Sequence, residues 1–184
     1  MTQFVAFLRA INVGGHVVKM ADLRRPFEAL GLSNVETFIA SGNVIFETSL
    51  SAKKAAALER TLEERLQQAL GYEVATFLRT LPELVAIAQQ VPFKSAELSA
   101  GATLYIAFTR REPDAESQRK LLSHRNTIDD FHVHQREIYW LSRKQLGESK
   151  FLGATLERAL GAPATVRNVT TVRKIAAKYG AQSG

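Results

Sequence analysis

One order of apolar patterns is written twice along this chain of 184 residues, and that recurrence constrains the fold more than any other feature. Residues 4–8 (Phe4-Val5-Ala6-Phe7-Leu8) are an apolar run of strand length. Residues 20–30 carry Leu23, Phe27 and Leu30 at helical spacing, with Gly31 as the stop. Pro26 suits that helix only if it begins near Asp22, which puts the ring in about the first turn. Apolar runs at 35–40 and 44–47 flank Ser41-Gly42-Asn43, a hairpin signal. Ser51 then caps a long helix with Ala55, Leu58, Leu62, Leu66 and Ala69 on one face and Gly71 at its end. Residues 73–78 return to strand character. The order is β-α-β-β-α-β, a split βαβ or ferredoxin-like unit.

Thr80 and Glu83 make a capping box for a short helix running to Gln90, which Pro92 ends. Residues 93–101 read as a linker, and the order then repeats. Thr103–Phe108 is a strand, and Asp114 caps a helix bearing Leu121 and Leu122. Residues 130–134 and 137–141 form a hairpin about Gln135-Arg136. Residues 150–160 are helical up to Gly161, and 164–167 form a short strand. Residues 171–179 make a last helix with Thr170 or Thr171 as its N-cap. The expected fold is therefore α+β, two ferredoxin-like halves in tandem with a linking helix and a C-terminal helix. The corresponding boundaries are 1–80, 81–102 and 103–184. The recurrence lies in element order, not in visible residue identity.

Composition removes several classes of chemistry. The chain has no cysteine, which excludes disulfides, thiol catalysis and cysteine-ligated metals. The run at 4–8 is too short for a signal peptide, and no segment approaches the roughly 20 apolar residues of a membrane span. The expected location is cytoplasmic. His132 and His134 sit two apart on one strand without an evident third ligand, so neither a metal nor a cofactor is expected. No nucleophile elbow or Ser-His-Asp order is present. The net charge of +6 lies wholly in the second half: residues 1–92 hold nine basic and nine acidic side chains, residues 93–184 fifteen and nine. Those basic residues are dispersed in pairs such as Arg110-Arg111 and Arg173-Lys174 rather than gathered in one tract.

Comparing the two halves singles out one loop. In the second half the turn from first strand to first helix is Arg110-Arg111-Glu112-Pro113. In the first it runs from Ala10 to Lys19, beyond the roughly two to six residues such connections need. Loop length that the fold does not require more often serves binding. The loop holds Asn12, Gly14, Gly15 and His16 between Arg9 and Lys19, and it feeds a helix start, where free amides and the helix dipole favour an anion. The glycines are neither a Walker loop nor a dinucleotide fingerprint. In a ferredoxin-like unit the hairpin at Ser41 and Asn43 projects from the sheet and offers further polar side chains. Arg167 and Asn168 precede the last helix, and Arg167 offers a planar fork to phosphate or carboxylate. The expected anion-binding set is Arg9, Asn12, Gly14, Gly15, Lys19, Ser41, Asn43, Arg167 and Asn168, with no catalytic residue assigned. Tyr105, Phe108, Tyr139 and Trp140 lie on second-half strands, where core packing competes with a stacking platform for single-stranded RNA.

Leu8-Arg9-Ala10-Ile11-Asn12-Val13-Gly14-Gly15, Lys19-Met20, Ser41-Gly42-Asn43-Val44 and Arg167-Asn168 together resemble the bacterial domain-of-unknown-function family 1697, over essentially the whole chain. The resemblance implies a duplicated α+β architecture and no particular reaction. Ala10 stands where that family usually has glycine, and Val169 where it usually has an aromatic residue. Three functional readings stand open: a protein binding a small anionic ligand in a cleft formed by loops, a nucleic-acid-binding module using the basic second half, and an enzyme acting on a phosphorylated substrate. Oligomeric state is open as well.

Overall fold

Short apolar runs in the first half pair into a four-stranded antiparallel sheet. The computed structural model describes residues 1–11, 18–39, 42–95, 97–98, 101–143, 151 and 153–180. The first half comprises β1 (Thr2–Leu8), α1 (Met20–Glu28), β2 (Ser33–Thr37), β3 (Asn43–Thr48), α2 (Ala55–Leu70) and β4 (Thr76–Thr80), followed by α3 (Leu81–Gln89). The second comprises β5 (Thr103–Phe108), α4 (Ala115–Leu122), β6 (Asp129–His134), β7 (Glu137–Ser142), α5 (Gly153–Leu160) and β8 (Thr165–Asn168), followed by α6 (Val169–Gly180). The sheet orders are β2-β3-β1-β4 and β6-β7-β5-β8, the same arrangement twice. The tandem α+β expectation holds.

The chain divides into two compact units, Met1–Val85 with the chain end from Lys178, and Ala86–Ala177. In the first unit Phe4, Ala6 and Leu8 face a core shared with Leu23 and Phe27 of α1 and with Leu58, Leu62 and Leu66 of α2. Phe46 stacks on Phe4 and meets Phe27 at 5.5 Å. Val5 and Phe7, on the other face of β1, are equally buried. The end of α6 belongs here: the Tyr179 hydroxyl donates to Glu36 Oε2 at 2.7 Å, and Lys178 Nζ reaches the same oxygen at 3.3 Å. In the second unit Ala107, Ile138 and Trp140 share a core with Leu121, Phe151 and Leu156. The Tyr139 hydroxyl donates to the Ile87 carbonyl near the end of α3.

Several local expectations change. Helix α1 starts at Met20, two residues before the position Pro26 was expected to require, so the proline lies in its second turn. The ring gives up one backbone hydrogen bond but is buried, which offsets part of that loss. Gly31 (φ +73) ends the helix as expected, with Gly31 N–H on the Glu28 carbonyl and Leu32 N–H on that of Phe27. Ser51 caps no α-helix. It precedes a 3₁₀ turn, Ala52–Lys54, makes no side-chain cap bond, and α2 begins only at Ala55. Ala69 is exposed, and Leu70 packs on the core in its place. Neither Thr170 nor Thr171 caps the last helix, because β8 runs directly into α6 and Asn168 Oδ1 accepts from Thr170 N–H at 2.8 Å. The Thr80–Glu83 capping box forms as read, with Thr80 N–H on Glu83 Oε2 at 2.7 Å. Asp114 likewise caps α4.

Strand β4 forms an edge of its sheet, and its outward amides are met by carboxylates. Thr76 N–H reaches Glu63 at 2.7 Å, Leu78 N–H reaches Glu59 at 2.8 Å, and Thr80 N–H reaches Glu83. Glu59 and Glu63 are one turn apart on α2, matching alternate residues of the strand. The edge is thus closed to pairing with another chain. The second unit repeats the device, with Glu157 of α5 accepting from Ala164 N–H at 2.9 Å. Among the described residues no helix is long and apolar enough to cross a membrane.

Replacing Glu59 with alanine should strand the buried Leu78 amide and cost about 1–3 kcal/mol. For a chain of this size each kcal/mol moves the melting temperature by about 2–4 °C. Calorimetric melting checks this, with the exposed Glu64→Ala expected to leave the melting temperature unchanged.

Candidate functional site

The C-terminal end of β1 lies against the backbone of the β2–β3 hairpin and the start of β4. Leu8 N–H donates to the Gly42 carbonyl at 2.8 Å, and Arg9 N–H to that of Ala75 at 2.8 Å. The chain then turns at Ala10 with φ +60, the left-handed region that favours glycine. Ile11 follows, buried in the first core beside Leu8. Gly42 of the β2–β3 hairpin lies against it. A Cβ at Gly42 would stand 3.1 Å from Ile11 Cβ and 3.2 Å from Leu8 Cβ, and its φ of +74 also calls for glycine. Near the hairpin tip Ile39, 53% exposed, is held at φ +59. A left-handed conformation costs an ordinary residue about 1–2 kcal/mol. Ala10 and Ile39 therefore concentrate backbone strain at one end of the sheet.

The expected residues divide into groups. Asn12, Gly14, Gly15 and Ser41 lie outside the described residues. Asn43 is a correction: it opens β3 opposite Phe7, is fully buried, and its Nδ2 donates to the Phe38 carbonyl at 2.9 Å. Its amide ties the hairpin together instead of projecting from it. Arg9 is half-buried. Lys19 is exposed, at the N-cap of α1, with no side-chain cap bond. Its carbonyl accepts from Asp22 and Leu23 N–H, while the amides of Met20 and Ala21 take no acceptor among the described residues.

Lys19 lines a cleft of about 660 Å³ between the first turns of α1 and the end of α2. Asp22, Arg25 and Pro26 continue the α1 wall, and Arg65, Leu70 and Tyr72 form the opposite one. Three cations against one carboxylate leave two net positive charges. Arg25 Nη1 stands 3.5 Å from Asp22 Oδ1. Burial of the Tyr72 hydroxyl raises its pKa, so it stays protonated at neutral pH.

The second unit has a counterpart in the same place. A cleft of about 340 Å³ lies between the start of α4 and the end of α5, lined by Arg110, Arg111, Asp114, Ser117 and Leu160 among others. Here the helix start is occupied by the protein itself. Asp114 Oδ1 accepts from Ser117 N–H at 2.8 Å, and that bond, first among its causes, holds the Asp114 carboxyl below its ordinary pKa. A carboxylate occupies the N-cap position of α4 and a lysine that of α1.

Arg167 and Asn168 belong to the second unit, and both have internal duties. Arg167 is buried, and its Nη1 donates to Thr165 Oγ1 at 2.8 Å and to the Val166 carbonyl at 2.9 Å. Burial pushes its pKa down to about 10, so it keeps its charge at neutral pH. The expected outward fork is thus an inward anchor, and Asn168 is a helix cap. Arg79 is the matching residue that sequence reading passed over. It pairs with Val5 as Arg167 pairs with Ile106, it is buried, and its Nη1 donates to the Leu78 carbonyl at 2.8 Å. The signal was available: Arg79-Thr80-Leu81 and Arg167-Asn168-Val169 align, as do Leu84 with Val172 and Ile87-Ala88 with Ile175-Ala176. Of the proposed stacking platform, Phe108, Tyr139 and Trp140 are buried and Tyr105 is half-buried, with Trp140 Nε1 donating to Asp129 Oδ1 at 2.8 Å. Those rings are core.

A family model described as "Protein of unknown function (DUF1697)" matches residues 1–139. Among solved structures, the conserved bacterial protein SP0830 from Streptococcus pneumoniae is similar at 26% identity and a TM-score of 0.73, over 97% of this chain and 98% of that one. Among curated proteins none matches the chain.

The strain at the β1 end is measurable. Ala10→Gly should stabilise the protein by up to about 1 kcal/mol, since relief of about 1–2 kcal/mol of left-handed strain exceeds the roughly 0.5–1 kcal/mol of added chain entropy. Gly42→Ala adds both strain and overpacking and should cost about 2–3 kcal/mol. Urea denaturation of the two variants checks both signs.

Proposed function

The chain belongs to the DUF1697 family, and on that footing we propose that it binds a small anionic ligand, bearing phosphate or carboxylate, in the cleft at the start of α1. The observation that carries this reading is the difference between the two halves. At α4 the anion-favouring helix start is satisfied by Asp114. At α1 the same position is Lys19, with two first-turn amides lacking an acceptor among the described residues and with Arg25 and Arg65 on the cleft walls. A helix N-terminus attracts anions through its free amides and dipole, and nearby cations add to that attraction. Asn12, Gly14 and Gly15 lead into Lys19 in sequence, and we assign them the supply of further backbone donors. Arg9 precedes the same loop and adds positive charge to that end of the unit. No reaction is part of the proposal.

The nucleic-acid reading draws less support. The aromatic rings it would use are mostly buried, and several second-half cations already hold carboxylates: Lys120 pairs with Glu116, Arg125 with Asp130, and Arg143 with Glu97 and Asp130.

The test is a thermal-shift series with inorganic phosphate, sulfate and citrate on the wild type and on the Lys19→Ala/Arg65→Ala double variant. An anion at a hundred times its dissociation constant adds about 2.7 kcal/mol of stability, a shift of several degrees. The double variant should lose that shift, and added chloride should weaken it in the wild type. Absence of stabilisation by every anion, or equal shifts in both proteins, would overturn the proposal.

A further inference from the structure

Strands β2 and β6 hold the same place in their sheets, each an edge with a single neighbouring strand. The two edges are finished differently. On β6, backbone groups that point away from β7 are engaged from within the protein. Asp129 N–H donates to Asn126 Oδ1 at 3.0 Å, and the Asp129 carbonyl accepts from Asn126 N–H at 2.9 Å. Phe131 N–H donates to Asp130 Oδ1 at 2.8 Å, and the Phe131 carbonyl accepts from Arg125 Nη2. Arg125 Nε holds Asp130 Oδ1 at 2.8 Å, so the two guards brace one another. An edge finished this way offers little to another strand.

On β2 no such guard forms among the described residues. Phe38 N–H donates to the Asn43 carbonyl at 2.9 Å. In the alternating antiparallel ladder Glu36 therefore bonds inward, opposite Ile45, and Thr37 turns its N–H and carbonyl outward. Neither outward group has a partner among the described residues. Asn34, at the bulge of the strand, sends its Nδ2 across the sheet to Glu47 Oε2 at 2.9 Å instead of covering the edge. Beside this edge lies a cleft of about 560 Å³, lined by Asn34 and Glu36 of β2, Ile45 and Glu47 of β3, and Arg24 and Glu28 of α1 among others. Glu28 is paired with Arg24 at 3.2 Å and Glu36 with Lys178 at 3.3 Å. Glu47 has no cationic partner among the described residues, so the cleft keeps a net negative charge.

We propose that β2 is a docking edge for an extended peptide segment of a partner protein that carries a lysine or arginine. The segment adds to the sheet through the Thr37 N–H and carbonyl, and its basic side chain enters the cleft toward Glu47. At ~4.8 Å between strands, Glu47 lies roughly 10 Å from the added backbone, a span that a lysine and a glutamate side chain cover together. Main-chain bonds supply affinity in this mode of recognition, and the pocket for a side chain supplies selectivity. A second copy of this chain fits the edge less well. Pairing β2 with itself about Thr37 sets two Glu36 carboxylates on one face of adjacent strands, where like charges repel.

The test is fluorescence anisotropy of the full chain with a labelled heptapeptide of alternating lysine and valine. A counterpart with glutamate in place of lysine should not bind. Two N-methylated forms, one blocked at every lysine nitrogen and the other at every valine nitrogen, should behave oppositely. One should bind as the parent does and the other not at all, since only alternate amides of an added strand face β2. Thr37→Pro removes the outward donor without touching the ladder to β3 and should weaken the parent peptide by about tenfold. Glu47→Gln keeps an acceptor for Asn34 and should weaken it by about threefold. Far-UV circular dichroism of both variants should match the wild type. Absence of binding by the lysine peptide, equal behaviour of the two N-methylated forms, or unchanged binding in either variant would overturn the proposal. So would a wild-type dimer in sedimentation velocity that Thr37→Pro converts to a monomer, which assigns the edge to a second copy.

Discussion

The central strand of each sheet is apolar on both faces, and everything else in the fold answers that constraint. Phe4, Ala6 and Leu8 on one side of β1 and Val5 and Phe7 on the other are all buried. Burying apolar side chains at about 25 cal/mol per Å² is the main favourable term available to a chain without disulfides. A strand with two apolar faces must lie inside a sheet covered on both, so β1 and β5 take neighbours on each side. Helices α1 and α2, and α4 and α5, cover one face of each sheet. That leaves β4 and β8 as edges, and glutamates on the covering helices accept from outward amides of β4 and from the Ala164 amide just before β8.

Once the pairing register is known, the two halves prove alike in detail. Arg79 and Arg167, their bonds to the preceding carbonyls, the carboxylate on the edge strand and the direct passage from strand to helix all recur. The halves differ where the first strand meets the first helix. In the second half that junction is short and its helix is capped by Asp114. In the first it is long, strained at Ala10, braced by Gly42 against Ile11, and leads to a helix with Lys19 at its cap. Shared features serve folding, and the feature confined to one copy is where a separate role belongs.

Much of the architecture was legible in the residues because strands and helices bury one face at periods of two and about 3.6. The hairpin at Gly42, the stops at Gly31 and Gly71 and the caps at Thr80 and Asp114 needed only local chemistry. Expectations that depended on where a side chain ends up fared differently. Asn43 and Arg167 looked like surface donors, since asparagine and arginine are usually exposed. Both are buried, because register sets them opposite Phe7 and Ile106. Pro26 and Ser51 failed as boundary markers, because packing of Leu23 and Phe27 outweighed one lost hydrogen bond and an unused cap.

The sequence alone determined the order of elements, their duplication and the membership of the family, since these follow from patterns within about ten residues and from contiguous motifs. It also determined that the Ala10–Lys19 connection is longer than its counterpart. Tertiary structure decided that the hairpin and that connection share a backbone contact at Gly42. It decided too that Arg65 of α2 lines the same cleft as Arg25 of α1, and that Arg167 turns inward. Those are juxtapositions of residues up to about forty positions apart in the first unit, and of sheet register in the second. Chain connectivity carries no information about either until the sheets close.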